Sequence, residues 1–213
     1  MKIFAITDIH GRRNFNKEIT QIITDSDLVI IAGDITDFGD KKEANEILEE
    51  MLVLNENIVA VPGNCDTPGV NEALTALGIN LHGAMKRIND VAIYGLGGSN
   101  ESPFNTPQEY RDSEIETILR QFRRDENAHF HIIISHPPPV RTKVDKVFLG
   151  HHVGSMAVRG IIERFQPDLV ICGHIHEARG VDKIGKTIVI NPGPFPKHYA
   201  IIDLNEDIAY TLY

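Results

Sequence analysis

His174 and His176 stand one residue apart, directly after Gly173 and the apolar run Leu169-Val-Ile-Cys172. Two imidazoles at that spacing can aim at one place, and holding a metal ion is a common task for such a pair. The run is continuously apolar rather than alternating, so it reads as a strand covered on both faces. The histidines then lie just past a strand's carboxyl end, where open α/β sheets bind their ligands, and Gly173 lets the backbone turn there without a Cβ clash. A solvated loop with two incidental histidines accounts for any single pair of this kind.

The same order, an apolar run and then Asp, His or Asn, recurs four more times. Lys2-Ile-Phe-Ala-Ile-Thr7 leads to Asp8 and His10, and the run 28–32 leads to Gly33-Asp34. The run 58–61 continues through Pro62 to Gly63-Asn64-Cys65-Asp66, and the run 130–134 leads to Ser135-His136. Five strand ends thus carry two carboxylates, one amide and four histidines, which is a ligand set. A satisfied polar rim explains one such end; recurrence where strands leave the core points to a shared site.

The elements that must position these residues alternate between strand and helix. Phe15 to Thr24 reads as a helix closing a βαβ unit, and Lys41 to Leu54 is amphipathic, with Ala44, Ile47, Leu48, Met51 and Leu52 on one stripe. Val70 to Leu77 is a shorter helix stopped by Gly78. Ile79 to Leu81 and Lys86 to Tyr94 read as strands, the second a hairpin turning at Asn89-Asp90, with His82 as a turn residue. Leu96 to Pro107 is irregular and long, in the manner of lids and substrate walls, and Glu109 to Arg124 reads as a long helix.

Pro137, Pro138 and Pro139 hold the chain extended past the site. Arg141 to His152 is a second irregular stretch, where Asp145, Lys146, His151 and His152 are either substrate contacts or solvated loop. Arg12 and Arg13 divide between the same two roles, a phosphate contact or a solvated loop. Ser155 caps a helix to Phe165, and Thr187 to Ile190, Tyr199 to Leu204 and Ile208 to Tyr213 read as strands joined by hairpin turns, with Asn191-Pro192-Gly193-Pro194 as one rigid turn. The sheet is therefore mixed and doubled.

At 213 residues the chain reads as one domain, residues 1–213, without a linker. No apolar run reaches the roughly 18 residues of a spanning helix. The first strand already carries site residues, which argues against a cleaved signal peptide. Two cysteines, Cys65 and Cys172, make a disulfide framework unexpected and the cytoplasm the default compartment. A net charge of -9 argues against nonspecific nucleic-acid binding, although two divalent cations would neutralise part of it. No membrane partner is expected, and the sequence is compatible with a homo-oligomer.

Asp-x-His, Gly-Asp, Gly-Asn, a lone His and Gly-His-x-His, in that order and at strand ends, resemble the calcineurin-like metallophosphoesterases. The resemblance spans Asp8 to His176. It implies an α/β fold, a four-layer α/β/β/α sandwich of two mixed sheets flanked by helices. It implies a binuclear centre with Asp8, His10, Asp34 and His176 on one metal and Asp34, Asn64, His136 and His174 on the other. Two divalent ions roughly 3.5 to 4 Å apart need a bridging oxygen, for which Asp34 is the natural choice, and a hydroxide held between them is a nucleophile at neutral pH. Imidazole, carboxylate and amide donors without thiolate suit Mn, Fe, Co, Ni or Zn better than Mg or Ca.

The chain departs from the family at Cys65, where most members carry His; it resembles instead a small prokaryotic branch with Gly-Asn-Cys-Asp. A thiol of ordinary pKa is a poor substitute for an imidazolium as proton donor. Cys65 reads first as a small apolar packer, with a weak ligand or redox-sensitive thiol as alternatives, and Cys172 as core. Pro194 replaces a Ser common in relatives. The resemblance implies a phosphoesterase taking a small phosphoester substrate, a phosphodiester rather than a monoester, by in-line attack of a metal-bridging hydroxide, with Asp34, Asn64, Cys65 and His136 nearest the chemistry. The alternatives are a phosphomonoesterase or nucleotide pyrophosphatase with the same centre, and a metal-free interaction scaffold, as in a vacuolar sorting subunit of similar fold.

Overall fold

In a computed structural model describing residues 1–13 and 15–213, the amino-terminal third is a repeated strand–helix unit. The chain runs β1 Lys2–Ile6, α1 Lys17–Thr24, β2 Leu28–Ala32, α2 Lys41–Leu54, β3 Ile58–Val61 and α3 Pro68–Ala76. Each of the first two helices starts at a side-chain cap: Asn16 accepts from the Ile19 N–H at 2.9 Å, and Asp40 from Lys42 and Glu43 at 2.9 and 3.0 Å. The parallel strands β1, β2 and β3 lie side by side, and β12 Ala200–Leu204 with β13 Ile208–Leu212 extends that sheet antiparallel beyond β1, in the order β13-β12-β1-β2-β3.

The second sheet is built from β4 Met85–Ile88, β5 Val91–Leu96, β8 Phe130–Ser135, β9 Leu169–Cys172, β10 Gly180–Ile184 and β11 Thr187–Asn191, ordered β10-β11-β9-β8-β5-β4. Its centre is parallel and its two outer pairs antiparallel. Between β5 and β8 come a two-residue pair, β6 Ser99–Asn100 and β7 Glu109–Tyr110, and α4 Asp112–Leu119. Helix α5 Met156–Phe165 precedes β9, and its cap Ser155 accepts from the Val158 N–H at 3.1 Å.

The strands alternate which core they serve. Ile3, Ala5, Ile30 and Val59 face Ile132, Ile134 and Ile171 in a core between the sheets. Phe4, Ile6, Val29 and Ile31 face outward, where Ile19, Ile47, Leu48, Met51 and Leu74 of the first three helices cover them. Tyr94, Ile133 and Val170 are covered by Ile115, Leu119, Val158 and Ile162 of α4 and α5. Helices, sheet, sheet and helices form four layers, two mixed β-sheets flanked by helices. Strands covered on both faces leave little room for charge along their length, which is why the candidate ligands sit at the strand ends.

Several local expectations are corrected. Ile79 to Leu81 is no strand; only Asn80, bridging Ala60, and His82, bridging Gly95, make isolated ladder contacts. The helix expected over Glu109 to Arg124 is only Asp112–Leu119, because Glu109 and Tyr110 pair as a strand with Ser99 and Asn100. Asn191 to Pro194 is not a hairpin turn: it carries the chain from one sheet to the other, with Pro194 bridging Thr7. The strand β10 had no place in the sequence pattern, since Gly180-Val-Asp-Lys-Ile184 is polar and largely unburied.

Candidate metal centre

All five chemistry-bearing strand ends open on one rim, because β1, β2 and β3 of one sheet and β8 and β9 of the other end there. The turns are sharp. Asp8, His10, Asp34 and His174 all have left-handed backbones, with φ of 54°, 47°, 50° and 68°, a region non-glycine residues seldom occupy and one in which Asp, Asn and His are enriched. Close approach depends on glycine at two places. A Cβ on Gly63 would lie 2.0 Å from Asp34 Oδ1, and one on Gly173 1.9 Å from Thr7 Oγ1 and 2.8 Å from Asp8 Oδ2.

One group comprises Asp8, His10, Asp34 and His176, each offering an atom within 4.8 Å of the others. His176 Nε2 is 3.2 Å from both Asp8 Oδ1 and His10 Nε2, and His10 Nε2 is 3.6 Å from Asp34 Oδ2. Asp37 Oδ1, 3.7 Å from His10 Nδ1, stands behind that ring. Asp8 also accepts from the His174 N–H at 3.2 and 3.3 Å, which ties the loop after β9 to the loop after β1.

The second group surrounds His136, which is fully buried. Its Nδ1 lies 2.7 Å from the Ala32 carbonyl oxygen; donation there leaves Nε2 to face Asn64 Oδ1 at 3.0 Å and Asp34 Oδ2 at 3.4 Å. The His174 ring is 5.3 Å from that of His136. Asp34 therefore presents one oxygen to both groups, while the Cys65 N–H, 2.8 Å away, holds the other.

The donor set fits divalent metal ions. Ligand atoms about 2.1 Å from a common ion stand about 3.0 to 3.4 Å apart, which matches the 3.2 Å contacts of His176 in the first group and the 3.0 and 3.4 Å contacts of His136 in the second, while His10 and Asp34 stand slightly wider at 3.6 Å. Asn64 Oδ1, His136 Nε2 and Asp34 Oδ2 are all acceptors once Nδ1 carries the histidine's proton, so they require a positive charge among them. Burial disfavours charge on His136, yet the Asp34 carboxylate beside it raises its pKa to about 9. Burial likewise works against ionised Asp34, but His136 and then His10 hold it below the usual carboxylate range. His174 goes the other way: burial, and then His136, lower it to about 4, which keeps it neutral and ready to ligate. A cation at the centre of the second group would take over the work the proton does on His136.

Around these residues stand others that sequence reasoning missed. Asp66 is fully buried and accepts from Gly63 N at 2.7 Å, Ile35 N at 3.1 Å, Thr36 N at 2.8 Å and Thr36 Oγ1 at 2.9 Å, clamping the loops after β2 and β3 together. Burial, then repulsion from Asp34, raises it to about 6. Its place at the end of Gly63-Asn64-Cys65-Asp66 was the available signal. Thr106 Oγ1 accepts from Asn64 Nδ2 at 2.9 Å; it lies in the irregular stretch Leu96 to Pro107, read as a lid or substrate wall, in which nothing singled out this residue.

Other candidates lie elsewhere. Arg13 pairs with Glu46 and Glu50 of α2, and both Arg12 and Arg13 are exposed. Asp145 is buried and accepts from Thr142 N at 2.8 Å, Arg141 N at 3.1 Å, Gly154 N at 3.1 Å and His152 Nδ1 at 2.7 Å. That makes it a staple of its own loop, not a substrate contact; Lys146 and His151 are exposed. Cys172 lies in β9, buried. Cys65 is half-buried with its Sγ 3.6 Å from Asn64 Nδ2, and burial followed by Asp34 pushes its thiol pKa far up. His82 accepts from the Gly97 N–H at 2.8 Å and serves a turn.

No helix among the described residues is long and apolar enough to cross a membrane. An uncharacterized protein of Methanocaldococcus jannaschii is 40% identical over 215 residues, covering 98% of this chain and 94% of its own. A probable glycerophosphodiester phosphodiesterase, GpdQ, of Arcobacter nitrofigilis is 26% identical, covering 97% of this chain and 82% of its own. The crystal structure of TT1561 of Thermus thermophilus superposes with a TM-score of 0.75 at 16% identity, over 99% of this chain and 97% of that one, which speaks for the fold alone. The model of the family described as calcineurin-like phosphoesterase matches residues 1–178, strand ends and histidine pair included. With that match across most of its length, the chain belongs to the calcineurin-like phosphoesterase family, metal-dependent phosphoester hydrolases.

Proposed function

We propose that this chain hydrolyses phosphodiesters at a centre of two divalent metal ions, Asp8, His10, Asp34 and His176 holding one and Asp34, Asn64, His136 and His174 the other. The observation that carries the reading is Asp34 Oδ2, 3.6 Å from His10 Nε2 and 3.4 Å from His136 Nε2, a single oxygen shared by two ligand groups. Ions held in this way supply Lewis acidity at the phosphoryl oxygens and a hydroxide nucleophile at neutral pH. Buried Asp34, aimed by the Cys65 N–H, and His136, aimed by the Ala32 carbonyl, hold their donor atoms in place before substrate arrives.

A diester is favoured over a monoester because the relative GpdQ is named as a probable glycerophosphodiester phosphodiesterase. Imidazole, carboxylate and amide donors favour Mn, Fe, Co, Ni or Zn. The test is metal analysis of the purified protein, followed by rates on aryl and alkyl diesters, cyclic nucleotides and monoesters with added Mn²⁺ or Ni²⁺. Two equivalents of metal and a preference for diesters support the reading. Far less than one equivalent would return the chain to the scaffold alternative, and faster monoester turnover would replace the diester assignment.

A further inference from the structure

We propose that Glu109 and Thr106 are positioning residues that fix which end of the Asn64 side-chain amide faces the metal centre. The inference rests on the metal reading above and concerns how one ligand is oriented. Asn64 is only 4% exposed, and its amide can be placed either way round in the same space. The hydrogen-bond chain beside it removes that freedom. Glu109 Oε1 lies 2.7 Å from Thr106 Oγ1, and a carboxylate only accepts, so the single proton of the Thr106 hydroxyl is committed to Glu109. Thr106 Oγ1 then has only lone pairs to offer Asn64, 2.9 Å away, and must meet the amide's Nδ2. The second N–H of that group points toward Cys65 Sγ at 3.6 Å. Oδ1 is left to face His136 Nε2 at 3.0 Å.

The reverse orientation fails on proton count. Asn64 Oδ1 and Glu109 Oε1 would both need the one hydroxyl proton of Thr106, and Nδ2 would confront the metal side with hydrogens.

The carboxylate is fastened for this task. Glu109 accepts from Ser102 N at 3.0 Å, Ser102 Oγ at 2.5 Å and Thr106 N at 3.0 Å as well as from Thr106 Oγ1. Burial pushes its pKa up, but those donors overcome it and hold it at about 2, so it is an acceptor throughout the neutral range. The segment is anchored on the ligand loop by Gln108, whose N–H reaches the Asn64 carbonyl at 3.1 Å and whose Nε2 reaches the Asp66 carbonyl at 2.7 Å. The irregular loop between β5 and α4 thus acts on the centre from behind, through an amide it orients and never replaces.

The experiment is calorimetric titration of the metal-stripped chain with Mn²⁺, comparing wild type, Thr106→Val, Thr106→Ser and Glu109→Gln, with the melting temperature of each metal-free protein recorded. Valine keeps the shape and removes the acceptor. Thr106→Val should weaken one of two binding events by about tenfold or more, the scale of lost outer-sphere partners, and leave the other unchanged. Thr106→Ser should restore it, and Glu109→Gln should weaken the same event. Equal affinities in wild type and Thr106→Val overturn the proposal. So does a Thr106→Ser as weak as Val, or a joint loss at both sites with a lower melting temperature, since either marks a packing role. A wild type that binds fewer than two Mn²⁺ overturns the metal reading itself and takes the relay with it.

Discussion

The backbone N–H of Cys65 donates to Asp34 Oδ1 at 2.8 Å, and that one bond decides what the other carboxylate oxygen does. With Oδ1 tied to the loop after β3, Oδ2 can only point into the rim, between His10 and His136. A residue noticed for the side chain it lacks thereby contributes through its main chain.

Asp34→Asn keeps the size and the bond from Cys65 while removing the charge between two cationic sites. Activity should fall by more than about 10²-fold, since a shared ligand matters more than the outer-sphere partners that cost about 10 to 100-fold. At least one metal equivalent should disappear by elemental analysis, with an unchanged circular-dichroism spectrum. Two retained metals and a near wild-type rate would show that Asp34 does not bridge.

Asn64→Ala removes one neutral oxygen donor and leaves His136 and Asp34 in place. Its activity should be low at stoichiometric Mn²⁺ and recover partly as Mn²⁺ is raised, read from rate against metal concentration. A curve that coincides with wild type would make Asn64 a turn residue only.

The Cys65 thiol keeps its proton at neutral pH because burial and Asp34 both oppose the thiolate, and so weak an acid is a poor donor to a departing alkoxide. Rates should therefore depend steeply on leaving-group pKa. Cys65→His should flatten the plot and accelerate poor leaving groups, by up to about 10² to 10⁴ where the imidazole is well placed. Parallel plots for the two proteins would move the leaving oxygen away from position 65.

Glu109 supplies the pH dependence. Its folded pKa of about 2 lies below the ordinary 4.5, so the native state prefers the ionised form. The stabilisation is present above about pH 4.5 and is lost as pH falls toward about 2. Amide exchange at Ser102 and Thr106, corrected for intrinsic rates, should lose protection across that window in wild type and be pH-insensitive in Glu109→Gln. Protection that stays constant in wild type down to about pH 2.5 would contradict the assignment.

What could be read from the sequence follows from locality. An apolar run and the ligand after it are neighbours in the chain, so Asp8, Asp34, Asn64, His136 and the His174/His176 pair announced themselves, and with them the strand framework. Partners chosen across space did not. The chain near Glu109 has helical spacing, but Glu109 is claimed by Ser102 and Thr106 and Tyr110 by the pairing with Ser99 and Asn100, so the helix starts later. Arg13 looked as free as Arg12 until α2 brought Glu46 beside it. Asp145 looked like a loop residue open to substrate, whereas five donors close over it. Asn191 to Pro194 carries turn residues, and turn chemistry does not say in which sheet the next strand lies.

The left-handed backbones at Asp8, His10, Asp34 and His174 bear on how such a centre is lost in descent. Asparagine tolerates that conformation nearly as well as the residues it would replace, and glycine better, whereas branched or bulky residues do not. Drift toward inactivity is therefore channelled: Asn or Gly at these four positions silences the chemistry and spares the architecture, while most other replacements damage both. A descendant that kept the fold for another purpose would carry that record at the tips of β1, β2 and β9, as small or amide residues where ligands once stood.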